Sequence, residues 1–145
     1  MKVLHTSDWH LGRKFLARDM HEHQDEFVEW LITEAAAQGV KLVVIAGDIF
    51  DRSVPPQESI TLFERALVGL SSVCPVFVIP GNHDSAVRLG YGGTFFESNG
   101  VHIRSETAKI DQPVHIKAAD STELVVYGIP YLHPDIHSVL TATEK

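Results

Sequence analysis

Residues 41–51, Lys41-Leu42-Val43-Val44-Ile45-Ala46-Gly47-Asp48-Ile49-Phe50-Asp51, decide the fold. From Leu42 to Ala46 every position is apolar and β-branched side chains predominate. A strand of that kind is covered on both faces, as in a parallel sheet sandwiched by helices. Two further segments share the design. Val76-Phe77-Val78-Ile79 runs into Gly81-Asn82-His83-Asp84, and the shorter Val3-Leu4 opens a strand that ends at Asp8-Trp9-His10. Each run places carboxylate, amide or imidazole groups where a buried strand comes to its end.

The intervening segments carry helical spacing. Asp19 with Glu22 three residues on forms a capping box, Phe27, Leu31 and Ala35 keep a four-residue stride, and Gly39 supplies the stop, which predicts a helix over 20–38. Pro55-Pro56 opens a second helix with Leu62-Phe63, Ala66-Leu67 and Leu70 on one face, ending near Ser72. Right-handed crossovers then bring the carboxyl ends of the three strands to one edge of the sheet, and the three polar motifs with them. Beyond Asp84 a helix over 86–98 is interrupted by Gly90, Gly92 and Gly93. Val101-His102-Ile103 reads as a strand, and Val114-His115-Ile116 with Leu124-Val125-Val126-Tyr127 as a hairpin across the polar stretch 119–122. A last helix is expected from Pro134 onward.

A chain of 145 residues with 44% hydrophobic content suits one α/β domain. Twelve Lys and Arg against nineteen Asp and Glu give a formal charge of -7. That balance argues against a protein that coats nucleic acid through its phosphates, though not against one that engages DNA at a metal centre. Cys74, flanked by Val73 and Pro75, reads as a small buried hydrophobe in a reducing setting. No apolar stretch suits a signal peptide or a membrane span, so a cytoplasmic protein is expected.

Asp8 and His10 are two apart, so in a continuing strand their side chains point to one side and can hold one metal ion while Trp9 turns into the core. Alone, the pair also fits a solvated strand end. Gly47 permits an unusual backbone angle, and the Asp48 carboxylate can offer one oxygen to each of two ions. Standing alone, Asp48 would read as a turn aspartate satisfied by backbone N–H groups. Asn82 can ligate without adding charge, and His83 reads as the catalytic group that touches a scissile phosphate or its leaving oxygen. Three such runs in order point to a two-metal phosphoesterase site, because Asp, His and Asn suit Mn, Zn or Fe, and two ions can clamp an in-line displacement at phosphorus.

These motifs resemble those of the calcineurin-like metallophosphoesterases. Within that family, His5-Thr6-Ser7-Asp8-Trp9-His10-Leu11-Gly12 is similar to the SbcD-type subunits of bacterial DNA repair nucleases, with Ala46-Gly47-Asp48-Ile49-Phe50-Asp51 and Pro80-Gly81-Asn82-His83-Asp84-Ser85 extending the match. The resemblance implies Asp8 and His10 on one metal, Asp48 as the bridge, Asn82 on the second metal and His83 at the phosphate. It also implies Mn as the ion, with Mg, Zn and Fe as alternatives, and a role in DNA repair, recombination and replication beside an SbcC-like SMC-type ATPase. Family members complete the site with a Gly-His-x-His motif further on, and no such pair occurs up to Lys145. The expectation is therefore the N-terminal portion of one domain over 1–145. It would be the first half of a β-sandwich flanked by helices, incomplete for catalysis and prone to self-association.

Arg13, Lys14, Arg52 and Arg88 follow the motifs and could line a DNA path. His21, His23, His102, His115, His133 and His137 read as ordinary surface or loop histidines. Two rival readings stay open: a small-substrate phosphodiesterase or phosphatase on the same scaffold, and a non-catalytic interaction module.

Overall fold

The computed structural model describes residues 1–117 and 123–135. In chain order it contains strand β1 (Val3–Thr6), the short strands β2 (Lys14–Phe15) and β3 (Arg18–Asp19), helix α1 (His21–Ala37), β4 (Leu42–Ala46), α2 (Gln57–Ser71) and β5 (Val76–Ile79). Helices α3 (Ala86–Leu89) and α4 (Gly93–Glu97), strand β6 (Val101–Ile103), a 3₁₀ turn (Thr107–Lys109), β7 (Val114–Lys117) and β8 (Glu123–Val126) follow. A four-stranded sheet in the order β1-β4-β5-β6 is parallel throughout, with Val3 opposite Leu42 and Val43 opposite Val76. The mixed α/β architecture read from the apolar runs is the one observed.

Alternation along the strands divides the core in two. Val43, Ile45, Val76 and Val78 face the helices and bury with Val28, Leu31, Phe63, Ala66 and Leu70. Leu42 and Phe77 face the other way and pack, with Val44 and Ile79, against Val114, Ile116, Leu124 and Val126. This corrects one expectation, because the sheet is not sandwiched by helices: its second face is covered by the antiparallel β7–β8 hairpin. The hairpin can do so because Val114 and Ile116 turn inward while His115 and Lys117 face solvent. Burying each such aliphatic side chain is worth roughly 1.5–3 kcal/mol, so the two layers together hold the strands from both sides.

Local expectations fared unevenly. Both long helices fall within a residue of their expected bounds, but Asp19 and Glu22 make no capping box. Met20 is the N-cap residue and has no side-chain cap, while Asp19 Oδ1 accepts the His21 N–H at 2.9 Å from outside the helix. The cause is the hairpin β2–β3, which pairs Lys14 with Asp19 and turns through Leu16 and Ala17 at φ 47° and 64°. Such a turn normally uses Asn or Gly, and Leu16-Ala17 carries neither signal. The helix expected over 86–98 is two short helices, broken where Gly92 adopts φ 74°. Pro134 and Asp135 begin a helical turn; the stretch 119–122 and the rest of the expected last helix, with His137, lie outside the described residues. Among the described residues no helix is long and apolar enough to cross a membrane.

Candidate metal centre

The loops that leave β1, β4 and β5 meet at one edge of the sheet. The first two are zipped by backbone hydrogen bonds: Asp8 N–H to Gly47 O at 3.0 Å, His10 N–H to Asp48 O at 3.0 Å, Leu11 N–H to Ile49 O at 2.8 Å and Asp51 N–H to Leu11 O at 3.1 Å. The second and third loops nearly touch. A Cβ on Gly81 would fall 2.1 Å from Asp48 Oδ1, and one on Gly47, whose φ is 88°, would fall 3.0 Å from Gly81 Cα. Only glycine allows that approach.

Asp8, His10 and Asp48 all have positive φ, at 58°, 44° and 49°. Left-handed residues other than glycine cost about 1–3 kcal/mol each and gather where a site needs them. They also correct the expected route to convergence. Strand β1 ends at Thr6, so Asp8 and His10 meet through a left-handed turn and not through strand alternation. Trp9 does enter the core, with Phe27 and Phe63 edge-on at 5.4 and 6.2 Å and its Nε1–H donating to Thr6 Oγ1 at 2.9 Å.

His10 is the centre of the arrangement. Its Nε2 lies 3.8 Å from Asp8 Oδ1 and 4.0 Å from Asp48 Oδ2, too far for hydrogen bonds. Two atoms that share one ion at about 2.1 Å each lie no more than about 4.2 Å apart, so these spacings fit donors around a common cation. The buried Nδ1 has no hydrogen-bond partner and lies 3.6 Å from Asp51 Oδ1. Metal-bound imidazoles typically turn their second nitrogen toward a carboxylate in this way. Asp8, His10 and Asp48 form one group whose ligand atoms lie within 4.8 Å of one another; His10, Asp51 and His83 form another. Hard oxygen and imidazole donors suit Mn, Zn or Fe.

The third loop is pinned on both sides of Asn82. Gly81 N–H donates to Asp84 Oδ2 at 2.9 Å and His83 N–H to Asp48 Oδ1 at 3.0 Å, which leaves Asn82 on an exposed bend. Asp48 Oδ1 is thus engaged by the backbone while Oδ2 faces His10. The His83 ring stands perpendicular to that of His10 at 4.9 Å, and its Nδ1 lies 2.9 Å from Asp51 O. A carbonyl only accepts, so Nδ1 carries the proton. This carbonyl, and the carboxylates of Asp48, Asp51 and Asp84, hold the imidazole above its ordinary pKa range against an opposing desolvation effect.

Two aspartates beyond the expected ligands shape the site. Asp51 faces both histidines. Asp84 accepts from Ile49 N–H at 3.2 Å, Phe50 N–H at 2.9 Å and Gly81 N–H, tying the second loop to the third. Their one local signal is an aspartate at the end of the second and third motifs.

Of the basic residues, Arg13 and Arg52 are exposed on the loops beside His10 and Asp51 and Lys14 is exposed at the start of β2, whereas Arg88 Nη1 donates to Ser53 O at 2.5 Å. His23, His102, His115 and His133 lie near Glu26, Glu97, Glu123 and Asp135 and join neither group. A cavity of about 720 Å³ between α2 and the α3–α4 segment is lined mainly by apolar groups such as Ile60, Leu67, Tyr91 and Phe95, and by no candidate ligand.

A family model described as calcineurin-like phosphoesterase matches residues 1–139. Nearly the whole chain is covered, including every residue of the three loops with their two groups of candidate metal donors. The chain belongs to the calcineurin-like phosphoesterase family of metal-dependent phosphoester hydrolases.

Proposed function

We propose that this chain carries the metal-binding loops of a DNA phosphodiesterase of the SbcD type, acting in repair and recombination beside an SMC-like ATPase. The observation that carries the hydrolytic part is the setting of His10, with Nε2 facing Asp8 and Asp48 and Nδ1 facing Asp51. Asp8, His10 and Asp48 would hold one divalent ion, Mn by preference, and Asp48 with Asn82 a second. Such ions neutralise charge on a phosphoryl oxygen and activate water for in-line attack. The carboxylates of Asp8 and Asp48 offset the ionic charge. His83, whose Nδ1 proton is held by the Asp51 carbonyl, would assist the leaving 3′ oxygen through Nε2.

DNA as the substrate is supported by the Asp8-Trp9-His10-Leu11-Gly12 run and by the exposed Arg13, Lys14 and Arg52 around the loops. With a net charge of -7, such contacts would act only close to the metals. The test is cleavage by the protein as its gene encodes it, in Mn, of linear duplex DNA and of bis-p-nitrophenyl phosphate. The expected result is cleavage of DNA that disappears in Asp48→Asn. Turnover of the small ester alone would make the protein a small-substrate phosphodiesterase instead, and failure to take up any metal would make it an interaction module.

A further inference from the structure

We propose that Gln24 is a positioning residue for the metal centre, holding His10 in the left-handed conformation that aims Nε2 at Asp8 and Asp48; this rests on the metal-site reading above. The hydrogen bonds of the first loop divide unequally. Its N–H groups at Asp8, His10 and Leu11 are taken by carbonyls of the second loop. The His10 carbonyl accepts from Arg13 N–H at 3.0 Å within the loop; its second acceptor site, the carbonyl of Trp9 and the N–H of Gly12 need partners elsewhere. Gln24, partly buried near the start of α1, meets all three. Its Nε2 donates to His10 O at 2.9 Å and lies 3.4 Å from Trp9 O, and its Oε1 accepts from Gly12 N–H at 3.1 Å.

A side-chain amide offers an N–H donor and a carbonyl acceptor on two neighbouring atoms without charge, so Gln24 can serve a carbonyl and an N–H at once. On the opposite side the turn is seated against the start of α2, where a Cβ on Gly12 would fall 2.7 Å from Ser59 Oγ and 3.0 Å from Pro56 Cδ. The loop is therefore held between a hydrogen-bonding clamp from α1 and a steric stop from α2. Removing the clamp leaves the strained φ of His10 free to relax, and with it the direction of the imidazole. Groups that orient a metal ligand in this manner typically change metal affinity by about 10- to 100-fold when lost.

The experiment compares Mn(II) binding, read from the free-ion electron paramagnetic resonance signal, in the parent chain, Gln24→Met, Gln24→Glu and Val101→Ala. Thermal unfolding is followed in parallel. Methionine keeps the volume and removes all three contacts; glutamate keeps the bond to Gly12 and sets a carboxylate oxygen against two carbonyls. Val101→Ala destabilises β6, at the far edge of the sheet from the loop, as a control for stability alone. Both Gln24 variants should bind Mn about 10-fold or more weakly, while Val101→Ala melts earlier with unchanged affinity. In metal-free protein the Gly12 amide should exchange faster in Gln24→Met and stay protected in Gln24→Glu. Should Gln24→Met fail to fold, Gln24→Glu carries the test. Parent-like Mn affinity in the folded Gln24 variants overturns the role of Gln24 alone, whereas a parent that takes up no Mn overturns the metal-site reading and this role with it.

Discussion

Asp48 and His83 sit side by side, yet the structure gives them separable tasks. The Asp48 carboxylate braces the third loop through Oδ1 and faces His10 through Oδ2. Asp48→Asn keeps an oxygen for the His83 N–H and loses only charge, so the fold should survive while Mn affinity falls by an order of magnitude or more in a calorimetric titration. Parent-like binding would remove Asp48 from the ligand set. His83→Gln should do the reverse, leaving metal occupancy nearly intact and lowering phosphodiester turnover by about 10²- to 10⁴-fold, the usual worth of a positioned acid or base. A matching loss of bound metal would make His83 a ligand. Away from the site, Glu97 is the residue most clearly linked to pH. Burial alone would raise its pKa, but Arg104 at 3.1 Å and His102 at 3.3 Å outweigh that and hold it below the usual range. A carboxylate with a lowered folded pKa stabilises above its unfolded value, and that stability is lost as pH falls through the folded value. With the carboxylate partly exposed, the effect should be no more than about 1 kcal/mol. Urea unfolding of Glu97→Gln should show weaker pH dependence below about pH 5 than the parent; identical slopes would show that Glu97 is not coupled to folding.

The three carboxyl-terminal loops work as one unit because backbone groups, more than side chains, join them. Asp84 gathers three N–H groups from two loops, and Gly81 lets Asp48 lie against the third. Gly81→Ala would place a methyl group inside the Asp48 carboxylate and should cost about 1–3 kcal/mol in chemical unfolding, with loss of metal binding as the second readout. An unchanged midpoint would mean that the loops are looser than their contacts indicate. The same geometry explains what could be read from residues alone. Strands β4 and β5 and both long helices were readable because unbroken apolar runs and a four-residue stride are local signals. Asp8, His10, Asp48 and His83 could be picked out because their chemistry is unusual at a strand end. Asp51, Asp84 and Gln24 could not be assigned, since each acts on backbone or side chains brought near only by the fold. Leu16-Ala17 hid the β2–β3 turn because neither residue favours positive φ. Expecting helices on both faces failed for a different reason: an apolar strand does not specify what covers it.

Helices on one face and a single hairpin on the other leave apolar surface outward. Val125, Tyr127, Ile129 and Tyr131 are all about half exposed, alternating with the more buried Val126, Gly128 and Pro130. Val54, Ile60, Val68, Tyr91 and Phe95 are exposed around the groove between α2 and the α3–α4 segment. Among the described residues β1 pairs on one side only, with β4, so its other edge keeps unpaired backbone groups. Contiguous apolar surface and open strand edges are association hazards. Among the described residues the donors near His10 form two groups of three that share His10, and a two-metal mechanism needs both ions held a few ångströms apart. The 145-residue chain alone should therefore bind at most one Mn ion weakly, cleave duplex DNA little or not at all, and self-associate at micromolar concentration. Light scattering and DNA cleavage in Mn, measured on the same preparation, decide it. Replacing Tyr127 and Ile129 by Lys should shift the chain toward monomer, because two charges on that stripe resist desolvation. An assembly unchanged by those substitutions would place the contact at the α2 groove or the β1 edge. A monomeric parent that degrades DNA rapidly would overturn the prediction and require a further ligand among its own residues.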